Sequence, residues 1–429
     1  MTSGEAKRRP RLVFVSPQFL FPNDTGGRIR TTNILRGLKS GVSGGAFEIV
    51  LVCMASDEQR QRWAADIDGV CDEFVPWAPS PRRPNWRRVI DLLDDLPANV
   101  IVDKSEAGMA AVARVLARPG IDVVVFDFVH AAVLRPTQAS KAASLCFTHN
   151  VEAEIFRRHA EQAKDPARRA VWSSQFRKME RFEREALQGF DTVIAVSERD
   201  AKHFREHHGL RRVRAIPTGV DLDFFQFKPM PGIDANHPPT VVFTGSMDWE
   251  PNIDGIRFFV TEVWPRVLEK EPRARFKVVG RTPPPALVQL AQQTTRNVEF
   301  TGRVDDVRTH VWGSQVFVIP LLVGGGTRIK AFEAMAMGCP IVSTSIGMEG
   351  LDAQPDRDWL CRDDAPGLAE AVLALLADEP RRTGIAAQAR ELVEQQFGHR
   401  VAAGVFEQIC LETMAQHESV KVQEKAAIA

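Results

Sequence analysis

The chain has 429 residues, 44% of them apolar and 26% charged, which is typical of a globular protein of two domains of about 200 residues. Lysine plus arginine equals aspartate plus glutamate at 55 each, so no overall field favours nucleic acid or an anionic surface. The six cysteines lack C-x-x-C spacing and indicate free thiols, and the absence of tyrosine excludes any mechanism that needs one.

Near-continuous apolar runs alternate with helical patterns through the first half of the chain. Strands apolar on both faces are typical of parallel sheets that helices cover on both sides. The first run follows a basic stretch, but no cleavage site of small residues follows it, so we expect a buried strand and a cytoplasmic protein. The predicted strands are Leu12–Ser16, Ile49–Met54, Val123–Phe128, Ser144–Thr148 and Thr192–Val196.

Two polar loops follow strands of this half. Gly26 and Gly27 precede a helical pattern, where they either form a plain turn or let the backbone approach a phosphate or an acceptor. His149 lies in the segment Phe147–Glu154, directly after a strand. A lone histidine is commonly structural, but the carboxyl end of a parallel strand is a position that favours ligand binding.

A basic segment surrounds Trp86 and contains Arg82, Arg83, Arg87 and Arg88. Arginines that flank the start of an amphipathic helix can bind anionic lipid headgroups. The segment therefore predicts a peripheral contact with the inner face of a membrane. They can equally form a solvated helix face, and both interpretations stay open.

The pattern changes near Asp223, where a proline-rich run predicts a linker. We predict a first domain over 1–222, a linker over 223–239, a second domain over 240–395, and a C-terminal helix over 396–429 with a disordered polar tail from about Ser419. Asp221 and Asp223 form a D-x-D pattern, but at a domain junction it does not indicate a metal. Strands of the second domain are predicted at Val241–Gly245, Phe276–Gly280, Val298–Gly302, Val316–Pro320 and Ile341–Ser343.

The most informative segment is Val323–Leu351, which joins a strand to a helical run. Its glycines let several N–H groups point at one anion, and the helix start with Arg328 and Lys330 adds positive charge. Glu333, one turn further, can accept hydrogen bonds from vicinal hydroxyls such as those of a ribose. The segment therefore predicts a cradle for a nucleoside diphosphate, although such glycines can also serve only to pack a helix closely on a sheet.

Val323–Leu351 resembles the donor-site signature of retaining glycosyltransferases of family four, also called glycosyl transferases group 1, which have the GT-B fold. Glu333 matches the second glutamate of the family's Glu-x7-Glu pattern, whereas Gly325 occupies the place of the first, so the chain is similar to a GGGTRIK subgroup. Ile216–Asp221 resembles the family's linker signature, and His149 stands where the family has a histidine near the donor sugar.

The resemblance implies an α/β protein of two doubly wound Rossmann-like domains that face each other across a cleft. It implies transfer of a hexose from a nucleoside-diphosphate sugar to a glycan or glycolipid hydroxyl, with retention of configuration, without a metal or cofactor, and in polysaccharide biosynthesis. The implied catalytic residues are His149, Lys330 and Glu333. The implied donor-binding residues are Gly26, Gly27, Ser246, Arg303, Val304, Gly324, Gly325, Gly326, Thr327 and Arg328.

Three alternatives keep the same fold. A nucleotide-sugar epimerase would need carboxylate pairs for acid–base chemistry, which the glycine at position 325 disfavours. A phosphorylase would hold pyridoxal phosphate on a lysine, and a non-catalytic scaffold would bind nucleotide without transferring its sugar.

Overall fold

The computed structural model describes residues 8–23, 25–40, 45–80, 84–137, 140–163, 165–323 and 328–428, without the side chains of residues 85, 88, 89, 162 and 424–428. The chain forms two compact units. The first contains Met1–Gly219 together with His399–Ala429, and the second contains Val220–Gly398. The predicted linker over 223–239 therefore lies within the second unit, and the predicted C-terminal helix and tail over 396–429 belongs to the first unit from His399 onward.

The first unit is built on a parallel sheet of seven strands in the order β3-β2-β1-β4-β5-β6-β7. Its central strands are covered on both faces, which explains their continuous apolar sequences. The strands are β1 Arg11–Ser16, β2 Glu48–Met54, β3 Glu73–Trp77, β4 Val123–Asp127, β5 Ala143–Phe147, β6 Thr192–Ala195 and β7 Val213–Ala215.

Helices connect these strands, and capping residues mark several of their ends. Asp165 caps the helix that begins with Pro166, Ser197 caps the next helix, and Gly209 ends that helix in the left-handed conformation (φ 67°). The helices are α1 Gly26–Ser40, α2 Asp57–Arg62, α3 Ala64–Asp68, α4 Asn85–Asp91, α5 Ala98–Asp103, α6 Glu106–Leu116, a 3-10 helix Val129–Leu134, α7 Glu152–Gln162, α8 Pro166–Gln188 and α9 Glu198–His208.

The second unit repeats this plan with six parallel strands in the order β10-β9-β8-β11-β12-β13. Its strands are β8 Thr240–Thr244, β9 Arg275–Val279, β10 Val298–Gly302, β11 Val316–Ile319, β12 Ile341–Ser343 and β13 Leu360–Cys361. Its helices are α10 Glu250–Phe258, a π-helical turn Phe259–Val263, α11 Trp264–Lys270, α12 Pro285–Thr294, α13 Arg308–Trp312, α14 Ile329–Ala336, a 3-10 turn Ile346–Met348, α15 Ala365–Ala377, α16 Glu379–Leu392 and a π-helical turn Val393–Phe397.

The last helix, α17 His399–Ile428, packs on α1 of the first unit. Gly37 permits this approach, because a Cβ atom there would lie 2.3 Å from the Cβ atom of Ala403. The predicted disordered tail from Ser419 is wrong, since α17 continues through it. Glutamine, glutamate, lysine and alanine are strong helix formers and extend the helix.

The predicted α/β fold of two doubly wound sheets is confirmed, and every predicted strand agrees with an observed one to within a residue at each end. Three short strands were missed, β3, β7 and β13. All three lie at sheet edges, where a strand is less covered and lacks a continuous apolar run. Among the described helices, none is both long enough and apolar enough to cross a membrane.

Candidate functional site

The two sheets have matching points at which the strand order reverses. In the first unit this point lies between β1 and β4, and in the second it lies between β8 and β11. Parallel α/β sheets bind ligands beyond the carboxyl ends of the strands at such switch points. In each unit, the residues at and after the ends of these strands are therefore candidates for ligand binding.

A buried carboxylate organises the switch point of the first unit. Asp127 ends β4 and has no exposed surface. It accepts hydrogen bonds from Ser16 Oγ at 3.0 Å, Thr31 Oγ1 at 3.0 Å and His149 Nε2 at 2.8 Å. Three donors compensate the charge that burial would otherwise leave unsatisfied.

This bond fixes the chemical state of His149. Because an ionised carboxylate only accepts, Nε2 carries the hydrogen and Nδ1 is an acceptor. Burial lowers the pKa of His149 more than Asp127 raises it, so the imidazole is neutral at neutral pH. Within the described part of the chain, the buried Nδ1 has no hydrogen-bond partner.

Two phenylalanine rings enclose the imidazole of His149. The Phe128 ring stacks on it at 3.9 Å between centroids, and the Phe147 ring lies at 4.4 Å. Phe128 has a φ of 66°, which is strained for a residue with a side chain. A Cβ atom on Gly27 would lie 2.6 Å from the tip of the Phe128 ring. Gly26 and Gly27 open α1, and the glycine at position 27 makes room for this ring.

A second histidine, His130, lies beside the same edge of the sheet. Its Nδ1 is 3.5 Å from Asp103 and its Nε2 is 3.6 Å from Glu152, the first residue of α7. Burial alone would lower the pKa of His130, but the two carboxylates outweigh it and raise the pKa to about 9. His130 is therefore charged at neutral pH. Buried Glu183 accepts from the N–H of Glu152 at 2.9 Å and so fixes the start of α7.

The switch point of the second unit holds the predicted lysine. Lys330 Nζ donates to Asn252 Oδ1 at 3.0 Å and lies 4.2 Å from the centroid of the Phe243 ring. Asn252 in turn donates to the carbonyl of Ser246 at 2.8 Å. A Cβ atom on Gly245 would lie 2.6 Å from Lys330 Nζ, so the glycine makes room for the ammonium group.

Ser246 belongs to a polar cluster at the ends of β8 and β9. Its hydroxyl donates to Asp248 at 2.6 Å and accepts from Arg281 Nε at 2.9 Å. Arg281 also pairs with Asp248 at 3.2 Å. These two strand ends approach closely, because a Cβ atom on Gly280 would lie 1.8 Å from the carbonyl oxygen of Gly245.

The first turns of α14 combine charged groups of both signs. Burial, helped by the charge of Arg328, lowers the pKa of Lys330 to about 7, and Glu333 opposes this shift. Burial likewise raises the pKa of Glu333 to about 7, against the effect of Lys330. Arg328 is 4% exposed, donates to the carbonyl of Ile346 at 3.3 Å, and its guanidinium lies 5.8 Å from the Trp249 ring. An anion placed here would stabilise both cations.

The remaining predicted residues are placed differently. Arg303 and Val304 follow β10, which is two strands from β8 and thus about 10 Å away along the sheet. Gly324, Gly325, Gly326 and Thr327 lie outside the described residues, as do Arg82 and Arg83.

Four residues of these clusters were not predicted from the sequence: Asp127, His130, Asn252 and Arg281. Only Asp127 and Arg281 have a local signal in the sequence, since each is a polar residue at the end of an apolar run.

Two family models match this chain. Glycosyltransferase Family 4 matches residues 34–224, and Glycosyl transferases group 1 matches residues 238–378. The phosphatidyl-myo-inositol mannosyltransferase of Mycolicibacterium smegmatis is 30% identical over 206 residues, 47% of this chain and 52% of that protein. An uncharacterized 44.6 kDa protein from the cps region of Klebsiella pneumoniae is 20% identical, over 51% of this chain and 56% of that protein. The chain thus spans about half the length of the curated relatives it matches.

Solved structures resemble the chain over nearly its full length. TarM has a TM-score of 0.66 at 12% identity, covering 93% of this chain and 98% of that chain. Sucrose-phosphate synthase from Thermosynechococcus elongatus has a TM-score of 0.61 at 18% identity, covering 97% and 100%. Anabaena HepE, in complex with UDP and glucose, has a TM-score of 0.59 at 13% identity, covering 93% and 98%. At these identities the likeness concerns the fold.

Replacing Asp127 by alanine would leave Ser16, Thr31 and His149 without their buried acceptor. We expect the free energy of unfolding to fall by about 3 kcal/mol or more, measured by urea denaturation. The matched control is Asp57→Ala, because the Asp57 side chain is 90% exposed, and its effect should stay within about 0.5 kcal/mol. Equal small losses in both variants would show that the buried network contributes little.

Proposed function

Because the chain belongs to the glycosyl transferases of group 1 and has the GT-B fold, we propose that it transfers a hexose from a nucleoside-diphosphate sugar to a hydroxyl of a glycan or lipid-linked glycan. We propose that the transfer retains the anomeric configuration and needs no metal. The observation that carries the proposal is Lys330, held by Asn252 at the start of α14, with Arg328 and Glu333 on either side of it in sequence.

In this proposal Lys330 and Arg328 bind the diphosphate of the donor. The diphosphate gains negative charge as the sugar leaves, and cations that are already in position stabilise that charge without further reorganisation. The bond to Asn252 holds Lys330 Nζ at the helix start, where the N–H groups of the first turn add partial positive charge. These groups would do the work that a divalent cation does in other transferases.

Glu333 is proposed to bind the ribose. It lies one turn along α14 from Lys330, and its carboxylate can accept hydrogen bonds from two vicinal hydroxyls. Such bonds favour the ionised form of the carboxyl group, and a neighbouring protonated Lys330 favours it further.

His149 is proposed to accept a hydrogen bond from a sugar hydroxyl through Nδ1. Its Nε2–H is committed to Asp127, and its pKa is lowered, which supports this role over that of a free general base. The nucleophile is then the acceptor hydroxyl itself, whose proton passes to an oxygen of the leaving phosphate on the same face of the sugar.

The structures of similar proteins suggest the first donors to test. HepE and a mutant of S. aureus TarM were solved with UDP, and the M. smegmatis relative is a mannosyltransferase by name. We therefore propose a hexose donor, with UDP-sugars tested before GDP-sugars and ADP-sugars.

We expect Lys330→Ala and Glu333→Ala each to lower turnover by about a hundredfold or more, because each removes a group that binds the leaving nucleotide. The measurement is nucleoside-diphosphate release from a panel of nucleotide sugars with glycan and lipid-linked acceptors. Lys270→Ala and Glu269→Ala are matched controls, since both side chains are exposed in the same unit and should leave turnover unchanged. Near wild-type rates in both site variants, with unchanged thermal unfolding, would contradict the assignment.

The pH dependence of kcat/KM gives a separate test. The active form needs Lys330 protonated and Glu333 ionised, and the pKa of each is about 7. We expect kcat/KM to peak near pH 7, falling in acid as Glu333 gains a proton and in alkali as Lys330 loses one. Lys330→Arg keeps its charge at high pH, so the alkaline fall should disappear in that variant. If kcat/KM of Lys330→Arg still fell at high pH, a group other than Lys330 would be responsible for the fall.

A further inference from the structure

The first unit exposes large apolar side chains along one short helix and just beyond its end. Trp86 is 60% exposed, Ile90 is 55% exposed and Leu93 is 84% exposed. Their spacing of four and then three residues places them on one face of α4 and of the turn that continues it. Contiguous exposed apolar surface of this kind marks an interaction site more often than a lone exposed side chain does.

The segment that carries this face is attached to the body of the unit. Leu93 N–H donates to the Ile90 carbonyl at 2.8 Å, which continues the helical turn. Lys178 Nζ on α8 donates to the Leu92 carbonyl at 2.8 Å, and Arg181 donates to the Asp95 carbonyl at 2.8 Å. These bonds hold the backbone of the turn against α8 while the apolar side chains stay in solvent.

The sequence that carries this face is rich in arginine. Arg87 is exposed, and its guanidinium lies 5.4 Å from the Trp86 ring. The sequence places Arg82, Arg83 and Arg88 within a few residues, although the whole chain has no net charge. Aspartates follow at 91, 94 and 95, and the cations Lys178 and Arg181 of α8 bond to carbonyls of this turn. In the sequence, these arginines flank Trp86 on both sides and precede Ile90 and Leu93.

We propose that Trp86, Arg87, Ile90 and Leu93 form a lipid-docking face that binds the surface of a bilayer containing anionic lipid. An indole ring prefers the headgroup boundary, isoleucine and leucine enter the acyl region, and arginines bind lipid phosphates. The adjoining arginines favour an anionic bilayer as the occupant over a second copy of this chain, which carries no net charge. This inference does not rest on the proposed reaction. Docking on a bilayer would, however, bring the protein close to lipid-linked acceptors.

The test is co-sedimentation of the full chain with vesicles of phosphatidylcholine alone and with vesicles that also contain phosphatidylglycerol. We expect binding to the anionic vesicles only, weakening as sodium chloride is added. The triple variant Trp86→Ser, Ile90→Ser, Leu93→Ser should bind at least about tenfold more weakly. Arg87→Gln should bind about fivefold more weakly, since one basic residue near such a surface contributes about 1 kcal/mol.

Val422→Ser is the matched control, because Val422 is 66% exposed on α17 in the same unit and should not alter binding. Brominated lipids should quench tryptophan fluorescence in the wild type and much less in Trp86→Phe.

Equal vesicle binding by the wild type and the triple variant would overturn the proposal. So would a dimer in light scattering that the triple variant abolishes, since a second copy would then cover the face. Nucleoside-diphosphate release with a soluble acceptor should be unchanged in the triple variant, which separates this proposal from the proposed reaction.

Discussion

All strands pair in parallel in both sheets, and this constraint determines where polar groups can gather. The carboxyl ends of parallel strands share one edge, so every connection that leaves a strand there starts beside the others. Residues far apart in sequence meet for this reason. Ser16 and Asp127 end two strands of the first unit and His149 follows a third, and Gly245 and Lys330 meet in the same way in the second.

Burial at these edges has different consequences in the two units. Asp127 receives three hydrogen bonds, so its charge is compensated and His149 is held in one tautomer. Lys330 has an amide oxygen, an aromatic face and a neighbouring cation, Arg328, and burial lowers its pKa to about 7. In the first arrangement the carboxylate is satisfied without a ligand, and among the described residues only Nδ1 of His149 is left without a partner in this network. The second gains electrostatic stabilisation when an anion arrives, which is the behaviour expected of a phosphate-binding site.

The sequence predicts the interior of the fold well, because a strand covered on both faces must be apolar throughout. It fails at the edge strands β3, β7 and β13, which do not meet that condition. Lys330, Glu333 and His149 could be selected from local patterns. Asn252 could not be selected in this way, because its contact is with Lys330, which is distant in sequence and follows a different strand. A local pattern can also have a second explanation. Gly26 and Gly27 were candidates for ligand binding, but the structure shows that a side chain at position 27 would collide with the ring of Phe128.

Thermal unfolding with UDP, GDP and ADP shows whether the start of α14 binds a nucleoside diphosphate. A nucleotide at a hundred times its dissociation constant stabilises the folded chain by about 2.7 kcal/mol, which raises the midpoint visibly. We expect one nucleotide to raise the midpoint of the wild type and of Glu269→Ala but not that of Glu333→Ala. No shift with any of the three nucleotides, in a wild-type chain that unfolds cooperatively, would contradict it.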